Sequence, residues 1–318
     1  MQGQQQSQPN RLKELWIGVS KNKRLPILSS DIIKTAAGLR ISQKIDRVDN
    51  FIIEDDKDLQ GMAPLPIIVR GFEMKSSMAV SLMSQGKLDA AIIGRDTSKE
   101  FNLSSRGKAG LMQSVELLDM DLSRCVFTVA VKGNDVAVKP RDLNGRSVVT
   151  QYPEILKNWA SQNNITFSKI TSNDVSGGVE GCNYFDPSIT VIADLVQSGE
   201  SLVNNGWKPL GVRQQDWNII SNSPDKSFID LTSEKLKSIP GVVMESSAIF
   251  ARSSLRLSQG KENALGILEK RLVQGARAYG ANPKSQFKVV AFQRCQKSQE
   301  LPQNIFRPSP RQAAAFGL

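Results

Sequence analysis

The sequence predicts an α/β fold of two lobes, each a mixed, mostly parallel sheet flanked by helices. Three observations predict it. Short apolar runs alternate with segments whose apolar residues recur at helical spacing, the pattern of βαβ units. The alternation restarts near residue 122, so a second sheet follows the first. The chain has 318 residues, 23% charged and 40% hydrophobic, enough for two cores.

Residues 1–11 are rich in glutamine and poor in large apolar side chains, so they are expected to be disordered. Leu15-Trp16-Ile17-Gly18-Val19 reads as a buried strand. Leu28, Ile32, Ile33, Ala36 and Ala37 fall at helical spacing, and Gly38 closes that helix. Leu65–Val69 reads as a second strand. Met74, Met78, Leu82 and Met83 mark a helix ending at Gly86, and Leu88–Gly94 is a third strand. These elements place residues 12–120 in the first lobe.

The second lobe is expected over residues 121–212. Cys125–Val131 and Arg146–Thr150 read as strands, the latter after the turn signal Asp142-Leu143-Asn144-Gly145. Pro153 suits the first position of a helix with the stripe Ile155, Leu156, Trp159 and Ala160. Strands follow at Ile165–Ile170 and Thr190–Val196, then a short helix over 200–205. Residues 213–240 are irregular and read as an insertion or linker. Val242–Arg252 reads as one long strand returning to the first lobe, which takes in 241–295. Leu265, Leu268, Leu272, Ala276 and Tyr279 stripe an amphipathic helix. Gln286–Phe292 reads as a last strand, and 296–318 as an extended tail.

Composition excludes several chemistries. There is no histidine, which removes histidine triads, bases and metal ligands. The three cysteines, Cys125, Cys182 and Cys295, are far apart and form no Cys-x-x-Cys pair, which fits free thiols in a reducing cytoplasm. No segment has the length and apolarity of a membrane span, and the first residues lack the pattern of a secretory signal, so no membrane partner is expected. Of the +10 net charge, residues 1–25 carry +4 and 282–318 carry +5. A basic excess at the ends argues against nucleic acid, which would select a basic stripe on the folded body.

The segment carrying most chemistry is Ile192-Ala193-Asp194-Leu195-Val196-Gln197-Ser198-Gly199-Glu200-Ser201-Leu202. It reads as strand, tight turn and helix start. Such a turn aims backbone N–H groups and a partial positive charge at one spot, where a sugar phosphate would fit. Gly199 permits close approach, and the Ser198 and Ser201 hydroxyls add donors. The same pattern also serves as a plain helix cap, and Glu200 suits the first turn of any helix. Asp194 ends an otherwise apolar strand, which marks it as a site acid.

Several segments, in order, resemble the ATP phosphoribosyltransferases that open histidine biosynthesis. Ile17-Gly18-Val19-Ser20-Lys21-Asn22-Lys23-Arg24-Leu25 resembles their first strand and basic turn. Gly86–Asp96, Asp142–Gly145 with Val148–Leu156, and Ser176-Gly177-Gly178-Val179-Glu180 are similar to further family segments. Asp194–Leu202 with Asn205-Gly206 is similar to the phosphoribosyl site. The likeness spans roughly residues 12–280, as a short-form-like catalytic core with a divergent C-terminus. It implies a two-lobed architecture like the type II periplasmic binding proteins. It also implies a pentosyl-transferring glycosyltransferase: ATP N1 displaces pyrophosphate from phosphoribosyl pyrophosphate, with Mg²⁺ carried on the pyrophosphate rather than on protein ligands.

The resemblance further implies roles. Ser198, Gly199, Glu200, Ser201 and Leu202 hold the 5′-phosphate through their backbone. Asp194 and Glu180 hold ribose hydroxyls. Lys21 and Arg24 neutralise pyrophosphate or ATP phosphates, with Arg24 counted among the catalytic groups. Gly94, Asp96 and Tyr152 line the nucleotide side of the cleft. ATP and phosphoribosyl pyrophosphate are the expected partners, in a homo-oligomer that leaves room for a regulatory subunit. The other reading is a non-catalytic relative that binds nucleotide or phosphate ligands.

Overall fold

The computed structural model describes residues 14–20, 67–104, 113–172, 186–197, 199–216, 239–278 and 280–285, with Val179, Cys182, Asn218 and the backbone of 39–45 and 50–55. The helix expected over 28–38, the strand expected over 286–292, residues 1–11 and 296–318, and most of 213–240 lie outside it.

In chain order the elements are β1 (Glu14–Ser20), β2 (Leu39–Ile45), β3 (Asn50–Asp55), β4 (Ile68–Met74), α1 (Ser76–Ser84), β5 (Ala90–Gly94), α2 (Arg95–Leu103) and β6 (Ser114–Asp119). There follow β7 (Cys125–Lys132), β8 (Ser147–Thr150), α3 (Pro153–Gln162), β9 (Lys169–Ser172), β10 (Val191–Val196), α4 (Glu200–Asn204) and β11 (Trp207–Pro209). The described chain closes with β12 (Val242–Ser246), β13 (Ala248–Ser253), α5 (Gln259–Ala278) and β14 (Lys284–Ser285).

Two mixed sheets result. The first has the order β14-β6-β13-β5-β1-β4-β3-β2. Its inner strands read as largely apolar runs because both faces are covered. Leu15, Ile17, Val19, Ala90, Ile92 and Phe250 face α5, whose Ala264, Leu265, Leu268 and Leu272 fill the same core. Ala91, Ile93, Ile249 and Ala251 face Ala79, Val80 and Met83 of α1. Gly18 keeps that contact close: a Cβ there would lie 3.1 Å from Ala79 Cβ and 3.1 Å from Leu88 Cδ1.

The second sheet runs β11-β7-β10-β8-β9, with β12 also paired to β7. One face packs Phe127, Val129, Val131, Val191 and Ala193 against Ile155, Leu156, Trp159 and Ala160 of α3. That is the stripe expected from the sequence. The other face packs Val126, Ala130, Ile192 and Val196 with Leu202 of α4, Trp207 and Val179.

Several features differ from expectation, among them the second strand, expected over 65–69 and formed at Ile68–Met74. The parallel pairs are β1–β4, β1–β5, β8–β10 and β8–β9, and the other pairings are antiparallel. The sheets are therefore mixed with a smaller parallel share than expected, because β3 and β13 enter beside the parallel strands in the opposite sense. The stripe on α1 is Ser76, Ala79, Val80 and Met83, while Met74 ends β4 and Met78 is 55% exposed. The helix starts at Ser76, after the first methionine, which rotates the buried face. The strand expected at 165–170 forms at 169–172; Ile165 instead closes α3, its amide bonded to the Ala160 carbonyl. The long strand expected over 242–252 is two strands. β12 pairs with β7 in the second sheet and β13 with β5 and β6 in the first, so the chain changes sheets at Ser247.

Candidate functional site

The register places the carboxyl ends of the parallel strands on one side of each sheet. In the first sheet, Gly94 at the end of β5 lies opposite Ala248, the start of β13. In the second, Val196 at the end of β10 lies opposite Val126, and Cys125 opposite Ser246, the end of β12. Ser246 and Ala248 flank the residue at which the chain changes sheets. The other crossing, residues 120–124 between β6 and β7, runs beside it: Met120 N–H donates to the Ala248 carbonyl and Ala248 N–H to that of Leu122. Both carboxyl edges therefore face the crossings. Crevices beyond such strand ends are where open α/β sheets bind ligands.

The described residues among those expected at a site lie on or beside the strands that end here. Lys21 and Arg24 follow Ser20 at the end of β1; they lie outside the described residues, as do Glu180 and Ser198. Ser20 itself shares a 2.7 Å hydroxyl bond with Ser76, the first residue of α1. Beyond β10, Gly199 is buried and has φ +73°, the left-handed turn for which glycine is suited. Leu202 anchors α4 in the core, whereas Glu200 and Ser201 are exposed on its outer side. Asp194 alternates with Ile192 and Val196 on the same face as Leu202. It is 4% exposed, and its Oδ1 accepts the Leu195 amide at 2.7 Å. Val179 packs into the same cluster, on the face that carries Asp194.

Tyr152 stands at the end of β8, just before α3. Its amide donates to Thr150 Oγ1 at 3.0 Å and its ring meets Phe127 edge-on with centroids 5.5 Å apart. That packing sets the direction in which α3 leaves the strand.

Gly94 and Asp96 form a clasp at the crossings. Ser246 Oγ donates to Asp96 Oδ1 at 2.6 Å and accepts the Asp96 amide at 3.0 Å. Thr97 Oγ1 donates to the other carboxylate oxygen at 3.2 Å. Asp96 is 6% exposed and both of its carboxylate oxygens accept from hydroxyls, so it joins the two sheets. Gly94 is glycine for that reason: a Cβ there would lie 2.5 Å from Asp96 Oδ1.

Residues the sequence reading missed surround this joint. Arg95 bonds both Glu116 oxygens, at 3.0 and 2.7 Å, and Asp119 at 2.8 Å. Burial works against its charge, but these carboxylates hold its pKa above the ordinary arginine value. Ser247 Oγ donates to Asp119 at 2.7 Å, and the Arg95 amide to the Ser247 carbonyl at 3.0 Å. Glu100 accepts the amides of Glu154 and Ile155 at 2.9 and 2.8 Å, capping α3 from another element. Burial raises its pKa in spite of those bonds. Its sequence signal was the spacing Asp96, Glu100, Leu103, one helical face. Among the described residues, no three Cys, Asp or Glu side chains converge as a metal site.

Residues 76–225 match the family model of HisG, ATP phosphoribosyltransferase. This stretch is similar to the ATP phosphoribosyltransferases. It takes in Gly94, Asp96, Tyr152, Glu180, Asp194 and the whole 198–202 turn. The fold agrees with a chain of the ATP phosphoribosyl transferase (HisG:HisZ) complex from Thermotoga maritima, at TM-score 0.54 and 11% identity over 83% of this chain and 99% of that one. The alkanesulfonate-binding protein SsuA from Xanthomonas axonopodis pv. citri, bound to MOPS, is similar at TM-score 0.40 and 12% identity, over 85% of this chain and 80% of that one. An amino-acid ABC transporter substrate-binding protein gives 0.39 and 12%, over 84% and 94%. No helix among the described residues is long and apolar enough to cross a membrane.

Proposed function

We propose that this protein transfers the phosphoribosyl group of phosphoribosyl pyrophosphate to N1 of ATP, releasing pyrophosphate. The observation that carries the reading is the convergence of the family-matched segments on the carboxyl edge of the second sheet. Asp194, the left-handed turn at Gly199 and Val179 all lie on or beside one face there.

The reaction breaks the bond between the anomeric carbon and pyrophosphate as N1 of ATP approaches, so positive charge develops on the ribosyl ring. Positioning and electrostatic stabilisation suffice for such chemistry, and no histidine base is needed. In this reading the amides following Gly199 hold the 5′-phosphate, and the exposed Glu200 side chain turns away from it. Asp194 and Glu180 accept from the ribose hydroxyls. Lys21 and Arg24 take the charge of the pyrophosphate, which brings Mg²⁺ as part of the substrate. Gly94 and Tyr152 border the nucleotide, and Asp96 acts one step back, through the joint it makes with Ser246. A homo-oligomer, with or without a regulatory subunit, in the cytoplasm is the setting of this reading.

A second reading is a nucleotide- or phosphate-binding subunit without turnover. It draws on Met78, 55% exposed at the start of α1 where the resembling family has an acid. One assay separates the two: ATP, phosphoribosyl pyrophosphate and Mg²⁺ are mixed with the protein and pyrophosphate is measured. Release that requires both substrates supports transfer. Binding of either substrate without release selects the second reading, and absence of both binding and release defeats both.

A further inference from the structure

Helix α2 presents two faces to two different lobes. Arg95, Ser98 and Asn102 turn to the first sheet. Arg95 pairs with Glu116 and Asp119 of β6. Ser98 Oγ lies 2.6 Å from Ser114 Oγ, and Asn102 bonds the Ser114 backbone through both ends of its amide, at 3.0 and 3.1 Å. Phe101 packs into the core beneath α1.

Asp96, Glu100 and Leu103 follow at i, i+4 and i+7, a single stripe on the opposite side. Asp96 takes Ser246 of β12 in the second sheet. Glu100 takes the first free amides of α3. Leu103 packs against the second lobe's core, beside Tyr152.

Two chain crossings alone form a hinge, about which lobes swing. Here a third connection runs parallel to them, and it grips the second lobe at three levels along the helix. The grip on α3 is strong in kind, since a carboxylate meets N–H groups that helix geometry leaves without acceptors. We infer that α2 is a strut that fixes the opening of the cleft, so that the two lobes keep one separation whether or not a ligand lies between them.

The inference does not depend on what the cleft binds. Spin labels at Met78→Cys and Val136→Cys, exposed positions in the first and second lobes, report the separation in a background with Cys125→Ala, Cys182→Ala and Cys295→Ala. The expected result is one narrow distance that adding ATP or inorganic pyrophosphate does not move. Combining Glu100→Ala with Leu103→Ala broadens it, and exchange of the Glu154 and Ile155 amides accelerates roughly 10- to 100-fold, as for loss of a hydrogen bond to a charged acceptor. If that pair fails to fold, Glu100→Gln keeps the volume, removes one acceptor and must broaden the distance in the same sense. A distance already broad in the parent, or one left equally narrow by these changes in a folded variant, overturns the strut.

Discussion

Ser246 and Asp96, 150 positions apart, exchange two hydrogen bonds: the hydroxyl donates to the carboxylate at 2.6 Å and accepts the Asp96 amide at 3.0 Å. The bond joins the last residue of β12 to the first turn of α2, where the chain passes between sheets. Removing the hydroxyl leaves the carboxylate of Asp96, a residue 6% exposed, short of a donor. Ser246→Ala is therefore expected to destabilise by about 1–3 kcal/mol. Denaturant unfolding measures it, and a midpoint equal to that of the parent would count against the joint.

Gly94 reaches the same carboxylate from the other side. A Cβ at position 94 lies 2.5 Å from Asp96 Oδ1, and the side chain must leave Ser246 to escape it. Gly94→Ala should then cost about as much as Ser246→Ala, and the two together much less than their sum, with a coupling of roughly 0.5–3 kcal/mol. Additive losses in the double-mutant cycle would show that the two residues act on different things.

Much of this architecture could be read in the sequence, and the parts that could not share a cause. β1, β5, β7 and β10 were legible because each is covered on both faces and reads as a largely apolar run. α3 was legible because Pro153 fixes its start and four buried residues mark one face. β6 was not: Val115 is exposed, and Glu116 and Asp119 sit in the strand to meet Arg95, so charge hides its pattern. Ser247 stands between two runs that look like one, and only the pairing partners reveal the break. The glycine turn at Gly199 was legible from local chemistry. The Ser246–Asp96 joint was not, since nothing within a few residues of either partner signals the other.

Asp194 is the acid on which the proposed transfer depends most. Asp194→Asn keeps the volume and one acceptor oxygen, so the fold should survive in a strand whose neighbours are apolar. Losing the charge toward ribose hydroxyls should lower kcat/KM by about 10- to 150-fold, the equivalent of a charged hydrogen bond. Glu200→Gln, an exposed change on α4 that leaves the backbone assigned to the phosphate intact, should leave turnover within about twofold of the parent. Equal loss in both variants would detach Asp194 from the substrate.

Glu100 and Glu14 should respond to pH in opposite directions. Arg70 bonds both oxygens of Glu14, at 2.8 Å each, and holds its pKa below the ordinary 4.5. The folded protein therefore releases that proton more readily than the unfolded chain. The stabilisation is present above the ordinary value and lost as pH falls through the depressed one. Burial raises Glu100 above 4.5, with the Glu154 carboxylate adding to the rise while the Glu154 and Ile155 amides and Lys157 oppose it. The folded protein then keeps a proton the unfolded chain has given up, so stability falls as pH rises from 4.5 through the raised value. Unfolding free energies measured across that window should show Glu100→Gln losing this downward slope relative to the parent, and Glu14→Gln losing acid sensitivity below 4.5. Parallel curves for parent and Glu100→Gln would mean that the carboxylate capping α3 is solvated like any surface acid.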